Sequence, residues 1–416
     1  MHNRHIAILH YAAPPTVGGV ESVIAHHAIE LTQLGAKVRI IAGSGSTFDP
    51  RVETRIYPLF GSKHPDILAA KKTLDAGQLP ANFGWLVGQI TAQLREATAG
   101  CDTLIAHNVH TMNKNLPLTV ALRALTDEGD LQMIAWVHDL AWMNEQYQGE
   151  LFDGDPWSLL KQAWPNTRCV TISQARQAEL AEMIGLPLER IAIITAGLDL
   201  PTFLNWGSDM LNVVSRLSLL DADRILIVPA RLTRRKNIEL ALRVLAALRE
   251  RTGEDDRLIV TGPPGPHNPQ NMGYLGDLLD LRHALALDSA AHFLYELGGD
   301  KPFIPDDPLM ANLFGFADGL LFPSTQEGFG IPILEAGLAR LPIFCSDLPP
   351  FHETAGEDAV YFMAQGTPPE AIAADIQRTL EDSPVSRLRR RVRQHYRWDA
   401  IIRDRLIPLL NEGLTI

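Results

Sequence analysis

The stretch HIAILHYAAPPTVGGVESVIAHHAIELTQLGAKVRIIAG, residues 5–43, decides the fold class. A short apolar run, HIAILHY, passes through a Gly-Gly loop into VESVIAHHAIELTQLG and then into a second apolar run, KVRIIAG. In the middle segment Val20, Val23, Ile24, Leu31 and Leu34 share one helical face, and Gly35 is placed to end the helix. Strand, helix and strand in this order predict a parallel sheet with crossover helices.

The alternation continues through DTLIAH, MIAWVH, RCVTIS and RIAIIT, which read as strands of a first domain over residues 1–204. After the turn-prone LNWGSD, a second series of strands follows: RILIVPA, RLIVTG, AHFLYE, DGLLFPS and LPIFCSD. It predicts another doubly wound domain over 205–395. The last segment, 396–416, is helical, with Trp398, Ile401, Ile402, Leu406 and Leu409 in one stripe, and is expected to pack back on the N-terminal domain. The expected class is α/β, two doubly wound Rossmann-like domains facing a central cleft. Such sheets bind ligands beyond the carboxyl ends of their strands, so informative residues should lie in strand-to-helix loops.

Length and composition agree with this division. At 416 residues and 46% hydrophobic content the chain exceeds one compact core. A net charge of −12 argues against a nucleic-acid surface. Cys101, Cys169 and Cys345 are far apart in apolar surroundings and read as reduced core thiols rather than disulfides or zinc ligands. The N-terminus lacks a cleavable leader pattern, and no apolar stretch reaches the ~20 residues that span a bilayer. The expectation is a cytoplasmic protein with at most a weak peripheral membrane contact. The arginine run 387–397 suits either anionic lipid or a solvated helix, and the overall charge favours solvation.

Three loops carry candidate chemistry. PPTVGGVE places Gly18 and Gly19 between the first strand and helix, where a double glycine serves either a positive-φ turn or an anion at a helix N-terminus. In PARLTRRKNIELAL a strand delivers Arg231, and Lys236 precedes Asn237, the expected N-cap. Cations there oppose the helix dipole unless an anion is bound. Arg234 and Arg235 read as solvated surface charges. In DGLLFPSTQEGFGIPILEAG, Gly328, Phe329 and Gly330 offer backbone N–H groups, Pro332 opens a helix, and Glu327 and Glu335 suit sugar or ribose hydroxyls.

With these residues in order, the chain resembles the retaining nucleotide-sugar glycosyltransferases of the two-Rossmann-domain (GT-B) type, glycosyltransferase family 4. EGFGIPILE matches the family's E-x7-E, ARLTRRKN resembles G-R-L-x-x-x-K-(G/N), and GGVE matches G-G-x-E. The resemblance covers nearly the whole chain. It implies that Glu335 binds ribose, Glu327 the transferred sugar, and Arg231 and Lys236 the diphosphate. Gly19 would approach the phosphate, and the backbones of Gly328, Phe329, Gly330 and Ile331 would contact the donor. His138, in MIAWVHD, matches the histidine lining the family's catalytic cleft, with Asp139 supporting its loop. The implied reaction is metal-independent hexosyl transfer from a UDP- or GDP-linked sugar to a sugar or small polar acceptor, without a cofactor. Closure of the two domains on the donor is expected. Arg340 stands where the family has a helix-ending glycine, and Pro229 and Ala230 where a glycine is usual, so that helix end must be capped differently.

Other features have competing readings. His107, His110, His138 and Asp139 suggest a metal site less well than local hydrogen bonding. Asp153-Gly154-Asp155 looks like a metal-binding acidic motif but suits a turn. Trp142, Tyr147, Phe152, Trp157 and Trp164 suit either acceptor stacking or packing. VTGPPGPHNP and HFLYELGG bear on donor specificity, and HNPQNMGYLGDLLDLRHALAL resembles a stretch of sucrose-phosphate-synthase-like members, which tilts the expectation toward UDP-glucose or GDP-mannose over UDP-N-acetylglucosamine. The rival readings are a non-catalytic sugar-nucleotide sensor and a nucleotide-sugar 2-epimerase. A phosphorylase lacks an identifiable pyridoxal lysine, and a dehydrogenase lacks G-x-G-x-x-G after strand one.

Overall fold

The computed structural model describes residues 1–412 apart from 3, 130, 266–269 and 300. The chain divides into two compact units, Met1–Leu198 with Tyr396–Ile416, and Asp199–His395.

The first unit is built on seven strands: β1 (His5–His10), β2 (Lys37–Ala42), β3 (Glu53–Ile56), β4 (Thr103–His107), β5 (Gln132–Val137), β6 (Thr167–Thr171) and β7 (Ile191–Ile193). They pair in parallel in the order β3-β2-β1-β4-β5-β6-β7. Strand periodicity explains the two-sided core. Ala7 and Leu9 face a cluster with the helices Phe83–Thr98 and Leu116–Glu128, while Ile6 and Ile8 face one with Gly19–Gln33 and the C-terminal segment. Trp398, Ile401, Ile402, Leu406 and Leu409 are all buried there. The helix Gly19–Gln33 ends with Gly35 at φ +89, but Leu34 lies beyond the last turn and is exposed rather than on the buried face. β3 escaped the sequence reading because it is a short charged edge strand, held by Arg39 and Arg55 on Glu53 at 2.7 Å each.

The second unit has six strands: β8 (Arg224–Val228), β9 (Asp256–Val260), β10 (Ala291–Phe293), β11 (Gly319–Phe322), β12 (Ile343–Ser346) and β13 (Val360–Phe362). Their parallel order is β10-β9-β8-β11-β12-β13. Leu226 and Val228 face the helix Ile238–Thr252, whereas Ile225 and Ile227 face the opposite cluster with Leu313 and Phe322. The edge strand β13, only three residues long, was not predicted.

The arginine run corrects the sequence expectation of a solvated or lipid-facing stretch. Arg393 is buried, bonding Asp318 at 2.8 Å and the Asp223 carbonyl at 2.7 Å. Arg390 reaches Asp223 at 2.7 Å and Glu254 at 2.6 Å, so these charges are spent inside their own unit. Among the described residues no helix is long and apolar enough to cross a membrane.

Candidate active site

In the second sheet the chain order reverses between the neighbouring strands β8 and β11, and the two loops that follow them carry the candidate donor residues. After β8, Arg231 is exposed and has no partner among the described residues. Lys236 closes a 3-10 turn, and Asn237, at φ +52, begins the helix Ile238–Thr252. Asn237 occupies the expected N-cap position, but its side chain makes no capping bond.

The ammonium of Lys236 donates to Glu327 Oε1 and lies 5.0 Å from the Phe322 ring centroid. Ser324 donates to the same carboxylate oxygen at 2.9 Å. Arg235 Nη1 reaches Glu327 Oε2 at 3.1 Å and the Gln326 carbonyl at 3.1 Å, and its own carbonyl accepts from Thr325 N at 2.8 Å. Arg235 is exposed, as expected from sequence, and in addition holds the loop that carries Glu327. Arg234 pairs with Asp277 at 2.7 Å and lies over Tyr274. Burial pushes the Glu327 carboxyl up, but the Lys236 hydrogen bond and charge, with Ser324 and Arg235, outweigh it and hold the group below the usual carboxylate range.

Past Glu327 the N–H groups of Gly328, Phe329, Gly330 and Ile331 have no acceptor among the described residues. Phe329 and Ile331 are exposed. Gly330 has φ +98, and a Cβ there would stand 2.9 Å from the Phe351 ring, so only glycine suits this turn. Pro332 follows in the first turn of the helix Ile331–Leu338. Glu335 is exposed on that helix, its carboxyl raised by partial burial and then by the charge of Asp307. The helix end is a correction: Arg340 itself adopts φ +60, and Leu341 N still bonds Ala336 O at 2.9 Å, so the usual cap persists with arginine in the glycine position.

In the first unit Gly18 has φ 179 and Gly19 no positive φ, which removes the left-handed turn as the reason for the pair. A Cβ on Gly19 would meet nothing within 4 Å. Glu21 lies 3.8 Å from His10 Nε2, and His10 Nδ1 lies 2.9 Å from the His107 carbonyl.

His138, just past β5, is buried, with Nε2 3.0 Å from His107 Nδ1. Asn108, left-handed at φ +61 after β4, accepts from His138 N at 2.8 Å and Asp139 N at 3.1 Å and donates to the Asp139 carboxylate at 2.9 Å. Asn108 was missed in the sequence, although asparagine directly after a strand is the residue type that tolerates this conformation. Burial, with a smaller contribution from His10, pushes His138 down to about 4, so its ring is neutral near pH 7.

Among the described residues no group of three or more His, Cys, Asp or Glu side chains is placed to hold a metal ion. Gly154 takes φ +90 in the DGD turn, and Asp153 pairs with Lys161 at 3.3 Å. Trp157 and Trp164 are core residues, which favours packing over stacking for that aromatic segment. His267 and Asn268 of the segment bearing on donor specificity lie outside the described residues.

Two family profiles divide most of the chain between them. Glycosyltransferase Family 4 matches residues 17–201 and Glycosyl transferases group 1 matches residues 215–397. The chain belongs to these family 4 glycosyltransferases, the class of two Rossmann-like units termed GT-B. It is 24% identical over 250 residues to an uncharacterized glycosyltransferase of Methanocaldococcus jannaschii, covering 58% of this chain and 59% of that protein. Mannosylglucosylglycerate synthase of Petrotoga mobilis is 22% identical, covering 83% of this chain and 82% of that one. D-inositol 3-phosphate glycosyltransferase of Corynebacterium urealyticum is 24% identical, covering 92% and 87%. Against a serotype-specific mannosyltransferase of Escherichia coli the match spans only 15% of the relative's length, at 33% identity over 33% of this chain.

Proposed function

We propose that the protein moves a hexosyl group, with retention of configuration, from a UDP- or GDP-linked sugar to an acceptor hydroxyl. The observation that carries this reading is the pairing of cations and unpaired N–H groups on the loops after β8 and β11: Arg231, Lys236 and the backbone from Gly328 to Ile331. Cleavage of the glycosyl–phosphate bond leaves negative charge on the diphosphate. Arg231 and Lys236 receive that charge, so the reaction proceeds without a metal ion.

Before the donor arrives, Lys236 is neutralised by Glu327. A diphosphate competes for that ammonium and frees a Glu327 oxygen to accept from a hydroxyl of the transferred sugar. Glu335, unpaired and exposed, accepts from the ribose hydroxyls. The acceptor hydroxyl attacks on the face the diphosphate leaves, and the departing phosphate takes its proton, so no enzyme carboxylate acts as a nucleophile. His138, neutral and held by His107 and Asn108, lines the reacting sugar. The three free cysteines suit a reducing, cytoplasmic setting.

A thermal-shift panel of UDP- and GDP-sugars, followed by nucleotide-release assays with and without acceptors, tests the reading. One strong shift with slow nucleotide release is expected. Binding with no release under any acceptor would replace the transferase by a sensor, and no shift at all would remove the donor site.

A further inference from the structure

His138 is held at two points, its backbone and its ring. Asn108 accepts from the N–H groups of His138 and Asp139 on one side-chain oxygen at 2.8 and 3.1 Å, which fixes the backbone after β5 and leaves the ring free to turn about its own side-chain bonds. His107, the last residue of β4, fixes the ring. Its Nδ1 lies 3.0 Å from His138 Nε2, and the ring centroids are 5.3 Å apart with the planes 25° from parallel, so the rings meet nitrogen to nitrogen and not face to face. His107 is held in turn: it is fully buried, stacks on Trp136 at 5.4 Å, and its carbonyl accepts from His10 Nδ1 at 2.9 Å. Burial pushes both rings below the ordinary imidazole range, so near pH 7 both are neutral, and one donates while the other accepts.

The surroundings of the pair decide which ring donates. If His138 donated, His107 would carry its own proton on Nε2, a nitrogen buried without a partner among the described residues. His27, 5.6 Å away between centroids, bonds it with neither nitrogen. The indole N–H of Trp136 also has no acceptor among the described residues, so a second orphaned donor would sit beside the first. If His107 donates from Nδ1 instead, its Nε2 is a bare lone pair, and a buried acceptor without a donor is tolerated better than a buried N–H without an acceptor. His138 then keeps its proton on Nδ1, which has no partner among the described residues and, unlike His107 Nε2, is not sealed from solvent.

We propose that His107 is a positioning residue that holds His138 in its Nδ1-protonated form, so that His138 offers a hydrogen-bond donor to an oxygen of the transferred sugar. With Nε2 engaged, the neutral His138 ring has no free lone pair and does not take the proton of the attacking hydroxyl. The contact with the sugar rests on the glycosyl-transfer reading; the position of the proton rests on the two rings and their neighbours alone.

The test begins with two-bond proton–nitrogen correlation spectra of the full chain labelled with heavy nitrogen in its histidine rings, the His138 signals being assigned by their loss in His138→Gln. The proton is expected on Nδ1 of both His138 and His107, opposite to the Nε2 form that a free imidazole side chain favours in water. A proton on His138 Nε2 overturns the proposal. In His107→Leu the His138 ring should revert to the Nε2 form, and His107→Asn, whose amide replaces the Nδ1 donor, should restore the Nδ1 form. In steady-state turnover His107→Leu should lower kcat about tenfold with the donor KM changed less than about twofold, and His107→Asn should recover most of the loss. Introduced into His138→Ala, His107→Leu should cost less than about twofold more, because it acts through that ring. An undiminished loss in that background means a purely structural role and overturns the assignment. Where His107→Leu does not fold, the wild-type spectrum and His107→Asn decide. An Nδ1-protonated His138 in a protein that releases no nucleotide from any sugar nucleotide would instead overturn glycosyl transfer and leave the imidazole pair standing.

Discussion

Lys236 and Glu327 satisfy each other across the loops that follow two neighbouring strands, and Ser324 and Arg235 complete the carboxylate's partners. Removing Glu327 leaves the half-buried Lys236 without its counter-charge, and removing Lys236 leaves Glu327 with Arg235 alone, so these variants should differ in kind from a change at exposed Glu335. Glu335→Ala is expected to raise the donor KM about tenfold with a smaller change in kcat. Glu327→Gln should lower kcat by about a hundredfold. Steady-state kinetics with the donor found in the binding panel decides this; wild-type constants in both variants would remove the donor assignment.

Arg235 tests positioning apart from charge. Arg235→Lys keeps the cation but loses the forked contact to Glu327 and the Gln326 carbonyl. A several-fold loss in kcat with an unchanged donor KM is expected, and an equal loss in both parameters would show that Arg235 acts on the diphosphate instead.

The Arg393–Asp318 pair should be among the costliest to break. Both side chains are buried, and Asp318 also accepts from Ile225 N at 2.8 Å. Arg393→Ala should destabilise by about 3 kcal/mol in chemical denaturation, because it strands a buried carboxylate. A loss below about 1 kcal/mol would mean the carboxylate finds solvent or another cation.

Arg340 adopts a left-handed backbone that glycine takes without strain. Arg340→Gly should stabilise by about 1 kcal/mol or slightly less, the relief of strain being partly offset by the freer unfolded chain. An unchanged or lower Tm would count against strain at this cap.

Burial holds His27 down at about 3 and His110, His138 and His292 at about 4, with neighbouring charges adding smaller effects. Unfolded imidazoles titrate near 6.5, so between about pH 6.5 and 4 the unfolded chain binds protons that the folded one refuses. Stability from these groups is present above pH 6.5, falls with pH through that window and flattens below it. Neither ring nitrogen of His27 has a partner among the described residues. His27→Leu should therefore raise stability by about 1 kcal/mol and make Tm less steep with pH. A Tm flat from pH 6.5 to 4.5 in the wild type would contradict the assignment.

The two doubly wound units were legible because long parallel strands are buried on both faces and write themselves as apolar runs such as IAIL and ILIV. The strands β3 and β13 were not, since a short edge strand needs little apolar surface and β3 carries Glu53 and Arg55 instead. Loops after strands were equally readable, which is why Arg231, Lys236, Glu327 and Glu335 could be named from spacing and resemblance.

By itself, then, the sequence determined the class of fold, the family and the loops that carry candidate chemistry, since hydrophobic period and glycine placement are local properties of the chain. Tertiary structure alone decided which charges meet. Arg235 and Arg393 look alike in one dimension, yet the first stays exposed while reaching Glu327 from 92 residues away, and the second is buried on Asp318 at a separation of 75. Charge pairing depends on distance in space and on local burial, and neither is encoded in the spacing of residues along the chain.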